Sequence, residues 1–246
     1  PDIPIEIFDW KRFAVDPNAE VVSHAARAEL RLRRLPRCFD RNELVRDFVL
    51  GRSVLDVGAV SHAMTDAGPN YWLHGKIKGW ARELVGIDIL EVECAALRAR
   101  GFEVLAIDAT SDADIGRRFE RIVLGEILEH VDDPVKLLKF AARHLLPGGL
   151  ILATTPNPWF CGTLYQSFSL GVYVGNLEHV FWVSPVNTLE LGRRAGLGLL
   201  EYRLIQQPAG VGGWKLRLLY RLRELFMPEL EIFGHSFAYC FSRPAL

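Results

Sequence analysis

Strand-like and helix-like segments alternate along most of this chain, and that alternation restricts its fold more than any other sequence feature. Short apolar runs such as "SVLDVG", "ELVGIDI" and "RIVLGE" are separated by amphipathic stretches such as "EVECAALRARG" and "DPVKLLKFAARHLLPGG". Strands connected through helices form right-handed crossovers, which place the strands parallel in one sheet. The pattern therefore predicts an α/β fold with a doubly wound, mostly parallel sheet and helices on both faces.

The chain of 246 residues has the length of one large α/β domain. We divide it into an N-terminal helical extension, residues 1–50, and a main domain, residues 51–246. Within the main domain, residues 157–183 form an insert rich in Trp, Phe and Tyr. Residues 207–235 form an excursion between the last two predicted strands, with an amphipathic basic helix predicted over 213–226.

Composition and spacing exclude several classes of protein. The formal net charge is −1, so no global basic excess indicates a nucleic-acid partner, and we expect none. The 4 cysteines are scattered, which favours reduced thiols over a disulfide framework. No apolar run reaches the ~18 residues of a membrane span, and no signal-peptide pattern opens the chain. We expect a cytoplasmic protein.

Local signals also place two helix boundaries. In "NYWLHGKIKGWA" the side chain of Asn70 can cap the first turn of a helix. The run Pro147–Gly148–Gly149 follows another predicted helix and is typical of a helix stop. The strand after that helix is expected to begin at "LILATTP".

Polar residues gather where the predicted strands end, and a doubly wound sheet binds its ligand at that edge. Asp88, after the second strand, is placed to accept hydrogen bonds from both hydroxyls of a ribose. Asp108, after the third strand, can accept one from the exocyclic amino group of adenine. Gly58, after the first strand, allows close approach of the backbone. The predicted cofactor contacts are Asp56, Gly58, Ala59, Asp88, Ile89, Asp108 and Ala109.

Five motifs in order carry a family resemblance: "VLDVG", "VGIDI", "AIDAT", "VLGEILEHVDDP" and "LLPGGLILATTPNP". Together they resemble the class I S-adenosylmethionine-dependent methyltransferases, and most of all the branch of the ubiquinone-biosynthesis O-methyltransferases. The similarity covers roughly residues 50–205. It implies a seven-stranded Rossmann-like sheet with a reversed last strand, and S-adenosylmethionine as cofactor.

The first loop departs from that family. It reads "GAVSH", so Val60 and His62 stand where the G-x-G-x-G pattern has glycines. In the family this loop holds the methionine portion of the cofactor, so we expect that portion to be held differently here. Dinucleotide-dependent dehydrogenases also bind their cofactor on such a half-sheet. They need the pattern G-x-G-x-x-G, which this loop lacks.

A cluster of acids and a histidine follows the fourth predicted strand in "GEILEHVDDP". If the chain turns helically there, Glu126, Glu129 and His130 share one face. Three interpretations are open. The acids can interact with the dipole of the next helix, His130 can act as a general base, or the group can bind a divalent metal.

The metal interpretation gains a fourth ligand from "GNLEHVFWVSP". The pattern E-x-x-E-H with a distant histidine is similar to the metal site of small-RNA 2′-O-methyltransferases, and E-x-x-E-H in ubiquinone-pathway enzymes likewise implies a metal. The resemblance makes His130 and His179 candidate catalytic residues. Oxygen ligands favour Mg²⁺, and two imidazoles move the preference toward Mn²⁺. The predicted ligands are Glu126, Glu129, His130 and His179.

Both enzyme classes act on adjacent hydroxyls, on a catechol or a ribose end. We predict methylation of a vicinal diol of a sugar or glycan, with a polyprenyl catechol as the alternative and a non-catalytic cofactor-binding scaffold as a third reading. The aromatic insert is expected to cover the acceptor site. The helix over 213–226 either contacts a membrane peripherally or packs on the domain edge. The sequence does not indicate the oligomeric state.

Overall fold

Seven strands form one sheet in the computed structural model, which describes residues 6–60, 72–206 and 230–244. The strands are β1 (Ser53–Val57), β2 (Glu83–Asp88), β3 (Val104–Ala106), β4 (Phe119–Gly125), β5 (Leu145–Pro156), β6 (Gly198–Ile205) and β7 (Ser236–Ser242). The helices are α1 (Glu20–Arg33), α2 (Arg41–Val49), α3 (Leu73–Trp80), α4 (Glu91–Ala99), α5 (Pro134–Arg143), α6 (Cys161–Leu170) and α7 (Pro185–Ala195). Short 3₁₀ turns lie at Trp10–Arg12 and Glu231–Phe233.

The strand order is β3-β2-β1-β4-β5-β7-β6. Neighbours from β3 to β5 are parallel, and β7 runs antiparallel to both β5 and β6. The predicted fold class, with its reversed last strand, is confirmed. The order changes direction between β1 and β4, and at such a switch point a crevice opens beyond the carboxyl ends of the strands.

Apolar alternation on β7 shows how the sheet separates two cores. Phe237, Tyr239 and Phe241 lie on one face in the main cluster, and Ala238 faces a second cluster on the other side. Fully burying a large apolar side chain contributes about 1.5–3 kcal/mol. β1 is buried along its whole length, as expected of a central strand covered on both faces.

Both predicted helix boundaries differ from the structure. α3 begins at Leu73 with Trp72 as its N-cap residue, and Asn70 lies outside the described residues. α5 ends at Arg143, and β5 already begins at Leu145, so Pro147–Gly149 belong to the strand. An irregularity in the β4–β5 pairing, between Phe119 and Arg121, accommodates the extra residues as a bulge.

The N-terminal residues pack on the sheet domain. α1 contacts β6 and α7, and α2 contacts α3 and β4. Single bridges from Arg34 to Tyr202 and from Cys38 to Ile205 attach the linker between these helices to the outer edge of β6. This packing carries Arg41, the first residue of α2, to the crevice. In the part of the chain described, no helix is both long and apolar enough to cross a membrane.

Candidate active site

A cleft of about 820 Å³ lies beyond the carboxyl ends of β1, β2 and β4, a size typical of small-molecule sites. Of the predicted cofactor contacts, Asp56, Gly58, Asp88, Ile89, Asp108 and Ala109 line it. Ala59 does not; its side chain is buried behind the loop, against Trp72 and Cys94. The cleft also reaches Glu126 and His130, so one cavity joins the two predicted halves of the site.

The two carboxylates predicted to bind the nucleoside are held by local turns. Asp88 accepts hydrogen bonds from the backbone N–H groups of Val60 at 2.9 Å and Leu90 at 3.2 Å. Asp108 accepts from the backbone N–H and the hydroxyl of Thr110, each at 2.7 Å. A carboxylate has about four lone-pair sites, so both groups can still accept from a ligand.

The first loop keeps one required glycine. Gly58 has φ +77°, and a Cβ there would lie 2.7 Å from Ile127 Cδ1, so a larger residue would clash and be strained. Val60 stands at the third position of the glycine pattern and lines the cleft. His62 lies outside the described residues.

The segment from Glu126 to His130 is not helical, so the prediction of one helical face is wrong. Glu126 has φ +58°, rare for a residue other than glycine, and α5 begins only at Pro134. The Glu126 backbone N–H bonds the Thr154 carbonyl on β5 at 2.9 Å, which holds the residue at the strand end while the chain turns. Its carboxylate lies 3.8 Å from the Arg41 guanidinium.

Three of the four predicted metal ligands nevertheless come together. Ligand atoms of Glu129, His130 and His179 all lie within 4.8 Å of one another, and Glu126 lies outside this group. The two imidazole rings stand nearly perpendicular with centroids 4.7 Å apart. The insert is attached here by its backbone, because the Val180 N–H donates to the Glu129 carbonyl at 2.9 Å.

Glu129 is the most unusual charge in the site. Its residue surface is 1% exposed, and neither carboxylate oxygen makes a hydrogen bond of good geometry with the described residues, although the Thr155 hydroxyl and the local backbone lie close enough to lower its pKa. Burial, and to a lesser extent the neighbouring charge of Glu126, raises the pKa of Glu129 to about 7. Burying an unpaired carboxylate is costly. A cation with bonds of about 2.0–2.2 Å holds its ligand atoms at most about 4.4 Å apart, close to the upper limit of 4.8 Å on the spacing of these three. The residues fit a divalent metal.

Sequence reasoning missed four residues near the cleft. Arg41 faces Glu126, and Glu178 Oε2 lies 3.9 Å from His130 Nδ1. Trp72 contacts the first loop from behind, and His74 contacts Asp56 near the end of β1. Glu178 is adjacent to a predicted ligand and could have been considered from the sequence. The other three follow no motif, and only the packing of α2 and α3 brings them here.

Comparison with known proteins identifies the family. A family model described as "Methyltransferase domain" matches residues 21–202. The chain belongs to this family. The resemblance to class I methyltransferases is thereby confirmed.

Two curated relatives are named ubiquinone biosynthesis O-methyltransferase. The protein from Idiomarina loihiensis is 28% identical over 61% of this chain and 63% of its own length. The protein from Nitrobacter winogradskyi is 28% identical over 67% of this chain and 64% of its own. The chain thus spans less than two thirds of the length of these relatives.

Solved structures show the same fold. A SAM-dependent methyltransferase from Thermotoga maritima superposes with a TM-score of 0.53 at 18% identity, covering 82% of this chain and 86% of that one. At that identity the likeness concerns the fold alone.

Proposed function

We propose that this protein is an S-adenosylmethionine-dependent O-methyltransferase assisted by a divalent metal. One observation carries the proposal: a cleft with cofactor-type carboxylates at one end reaches His130 at the other, and His130 lies beside His179 and the buried carboxylate of Glu129. S-adenosylmethionine supplies an activated methyl group when bound. Asp88 and Asp108 would hold its ribose and adenine, and Gly58 allows its close approach to the backbone.

The metal part rests on Glu129, His130 and His179. A bound Mg²⁺ or Mn²⁺ would neutralise Glu129 and supply Lewis acidity that lowers the pKa of an acceptor hydroxyl. Glu126, held near Arg41, adds negative charge beside this group. Without a metal, His130 would be the general base, since it lines the same cleft.

For the acceptor we favour a catechol that carries a hydrocarbon chain over a sugar diol. The curated relatives are named for ubiquinone biosynthesis, which supports a quinone-pathway acceptor over a sugar or glycan. Both acceptors offer adjacent hydroxyls, so the metal group alone does not distinguish them.

The insert supports the same choice. Residues 157–177 contain no Asp, Glu, Lys, Arg or His. None of the residues of α6 is buried against the described part of the chain, and Phe168 and Leu177 are 94% and 89% exposed. Contiguous exposed apolar surface marks an interaction site. The segment leads directly in sequence to Glu178 and His179, so an apolar tail could lie along it while the hydroxyls reach the metal group.

The test compares three acceptors with S-adenosylmethionine and Mn²⁺ or Mg²⁺: a catechol with a long prenyl chain, the same catechol without it, and a methyl glycoside with a vicinal diol. We expect kcat/KM for the tailed catechol to exceed that of the short one by at least about tenfold, from burial of a few CH₂ groups at about 0.8 kcal/mol each. Preference for the glycoside would restore the sugar prediction.

Two controls make the result specific. Phe168→Ser should remove much of the preference for the tail, whereas Val92→Ser, at an exposed apolar position on α4, should not. Titration with S-adenosylhomocysteine tests the third reading, a non-catalytic scaffold. Cofactor binding with no methyl transfer to any of the three acceptors would favour it. The predicted membrane contact through 213–226 stays a proposal, because that segment lies outside the described residues.

A further inference from the structure

Two buried side chains two positions apart in sequence contact the end of β1 and the turn that follows it from behind. The Trp72 indole N–H donates to the Ala59 carbonyl at 2.6 Å. The His74 ring nitrogen Nδ1 lies 2.9 Å from Asp56 Oδ2, a hydrogen-bond distance. Both side chains are buried, so water does not compete for these contacts.

The surrounding packing leaves these two rings little freedom. The ring of Phe102 lies 5.0 Å from that of Trp72 and 5.8 Å from that of His74. Gly86 on β2 faces the same cluster, where a Cβ would lie 2.6 Å from His74 Cε1 and 2.7 Å from the Ala59 methyl. The cluster therefore fixes where Ala59 and the carboxylate of Asp56 can lie.

The backbone N–H groups of the turn are directed into the protein. Gly58 and Ala59 both donate to the Ile87 carbonyl, at 2.9 and 3.1 Å, and Val60 donates to Asp88. The turn is thus attached to β2 through its N–H groups and to α3 through the Ala59 carbonyl. A loop with the full glycine pattern would lack the Val60 side chain.

We propose that Trp72 and His74 are positioning residues for the cofactor, an inference that rests on the proposed function. They hold the Gly58–Val60 turn in the place where the methionine portion of S-adenosylmethionine binds. They do so by side-chain contacts from α3, in a chain whose first loop lacks two glycines of the family pattern. Neither residue contacts the reacting atoms.

The experiment uses the whole chain with S-adenosylhomocysteine as the probe. Trp72→Phe removes the indole N–H, and His74→Phe removes the ring nitrogen, while both keep an aromatic ring. Each should raise the Kd about five- to tenfold, the effect of one net hydrogen bond of about 1–1.4 kcal/mol. His74→Asn places an amide near Asp56 and should recover most of the loss.

Phe102→Leu is the matched control, because Phe102 packs in the same cluster without a hydrogen bond to the turn. It should lower the melting temperature and leave the Kd within about twofold. The proposal is overturned if both Phe variants bind like the wild type. It is also overturned if the Kd simply follows the melting temperature across all four variants.

Hydrogen exchange without ligand separates this proposal from the proposed function. The peptide covering residues 55–60 should exchange faster in Trp72→Phe and His74→Phe than in Phe102→Leu. If the wild type binds no S-adenosylhomocysteine, the proposed function fails. If residues 55–60 exchange equally fast in all variants, the positioning role fails as well. Should His74→Phe fail to fold, Trp72→Phe carries the test alone.

Discussion

The two ends of the cleft contrast in how their charged groups are satisfied. At the cofactor end, Asp88 and Asp108 accept hydrogen bonds from residues within two positions of themselves, and Asp88 also binds the neighbouring loop. At the acceptor end, Glu129 makes no hydrogen bond of good geometry with the described residues, and its neighbour His179 comes from a distant segment.

The difference indicates how far each end is prepared before a ligand arrives. The proposed cofactor end is preorganised by its own backbone, which would lower the ordering needed on binding. At the proposed acceptor end, burial, and to a lesser extent the nearby charge of Glu126, raises the pKa of Glu129 to about 7. The proposed metal would offset the charge of the ionised Glu129 carboxylate at that end.

The largest expected effect tests the acceptor end. Glu129→Gln and His179→Ala should each reduce methyl transfer by about 100-fold or more, because each removes a ligand of the proposed metal. Binding of S-adenosylhomocysteine should stay within about twofold of the wild type, since it depends on the other end. Transfer rates and calorimetric titration measure the two quantities separately, and chelation with EDTA should mimic the variants.

Glu178→Gln serves as the control, because this exposed carboxylate lies 3.9 Å from His130 and outside the proposed ligand group. Its effect should be much smaller. If EDTA-treated, metal-free protein transfers methyl groups at the full rate, the metal proposal fails, and His130→Ala then tests the general-base alternative.

The next effect tests the cofactor end. Asp88→Ala should weaken binding of S-adenosylmethionine by roughly 1.5–3 kcal/mol, the range of charge-assisted hydrogen bonds. The structure adds a second reason, because the same carboxylate holds the Val60 N–H. Calorimetry measures the change, with Asp112→Ala as a control at a fully exposed carboxylate. Unchanged affinity in a folded Asp88 variant would place the cofactor elsewhere.

The smallest expected effect concerns the first loop. Val60→Gly combined with His62→Gly should alter cofactor affinity, and we expect about two- to fivefold weaker binding from the added backbone freedom of about 0.5–1 kcal/mol. The single Val60→Gly variant shows how much arises from the residue that lines the cleft. Equal affinity in all three proteins would mean that the departure from the glycine pattern is neutral.

The sequence by itself determined the architecture and the positions of the carboxylates proposed to bind the cofactor. Strand periodicity, crossover helices and acids at strand ends are local patterns. They placed Asp88 and Asp108 at the edge of the sheet where the cleft lies, and the role of these residues in cofactor binding stays a prediction. Glycine at position 58 was equally local, because its need arises from the positive φ of the turn. Such features follow from neighbours in the chain and from general rules of parallel sheets.

Only the tertiary structure decided how the acceptor end is built. A helical spacing rule placed Glu126 with Glu129 and His130, but the bond to Thr154 on β5 and the left-handed backbone direct Glu126 toward Arg41. Likewise, the packing of α3 brings Trp72 to the first loop and His74 to Asp56, and no sequence motif predicts these contacts. These contacts join segments far apart in sequence, and their geometry depends on how whole elements pack.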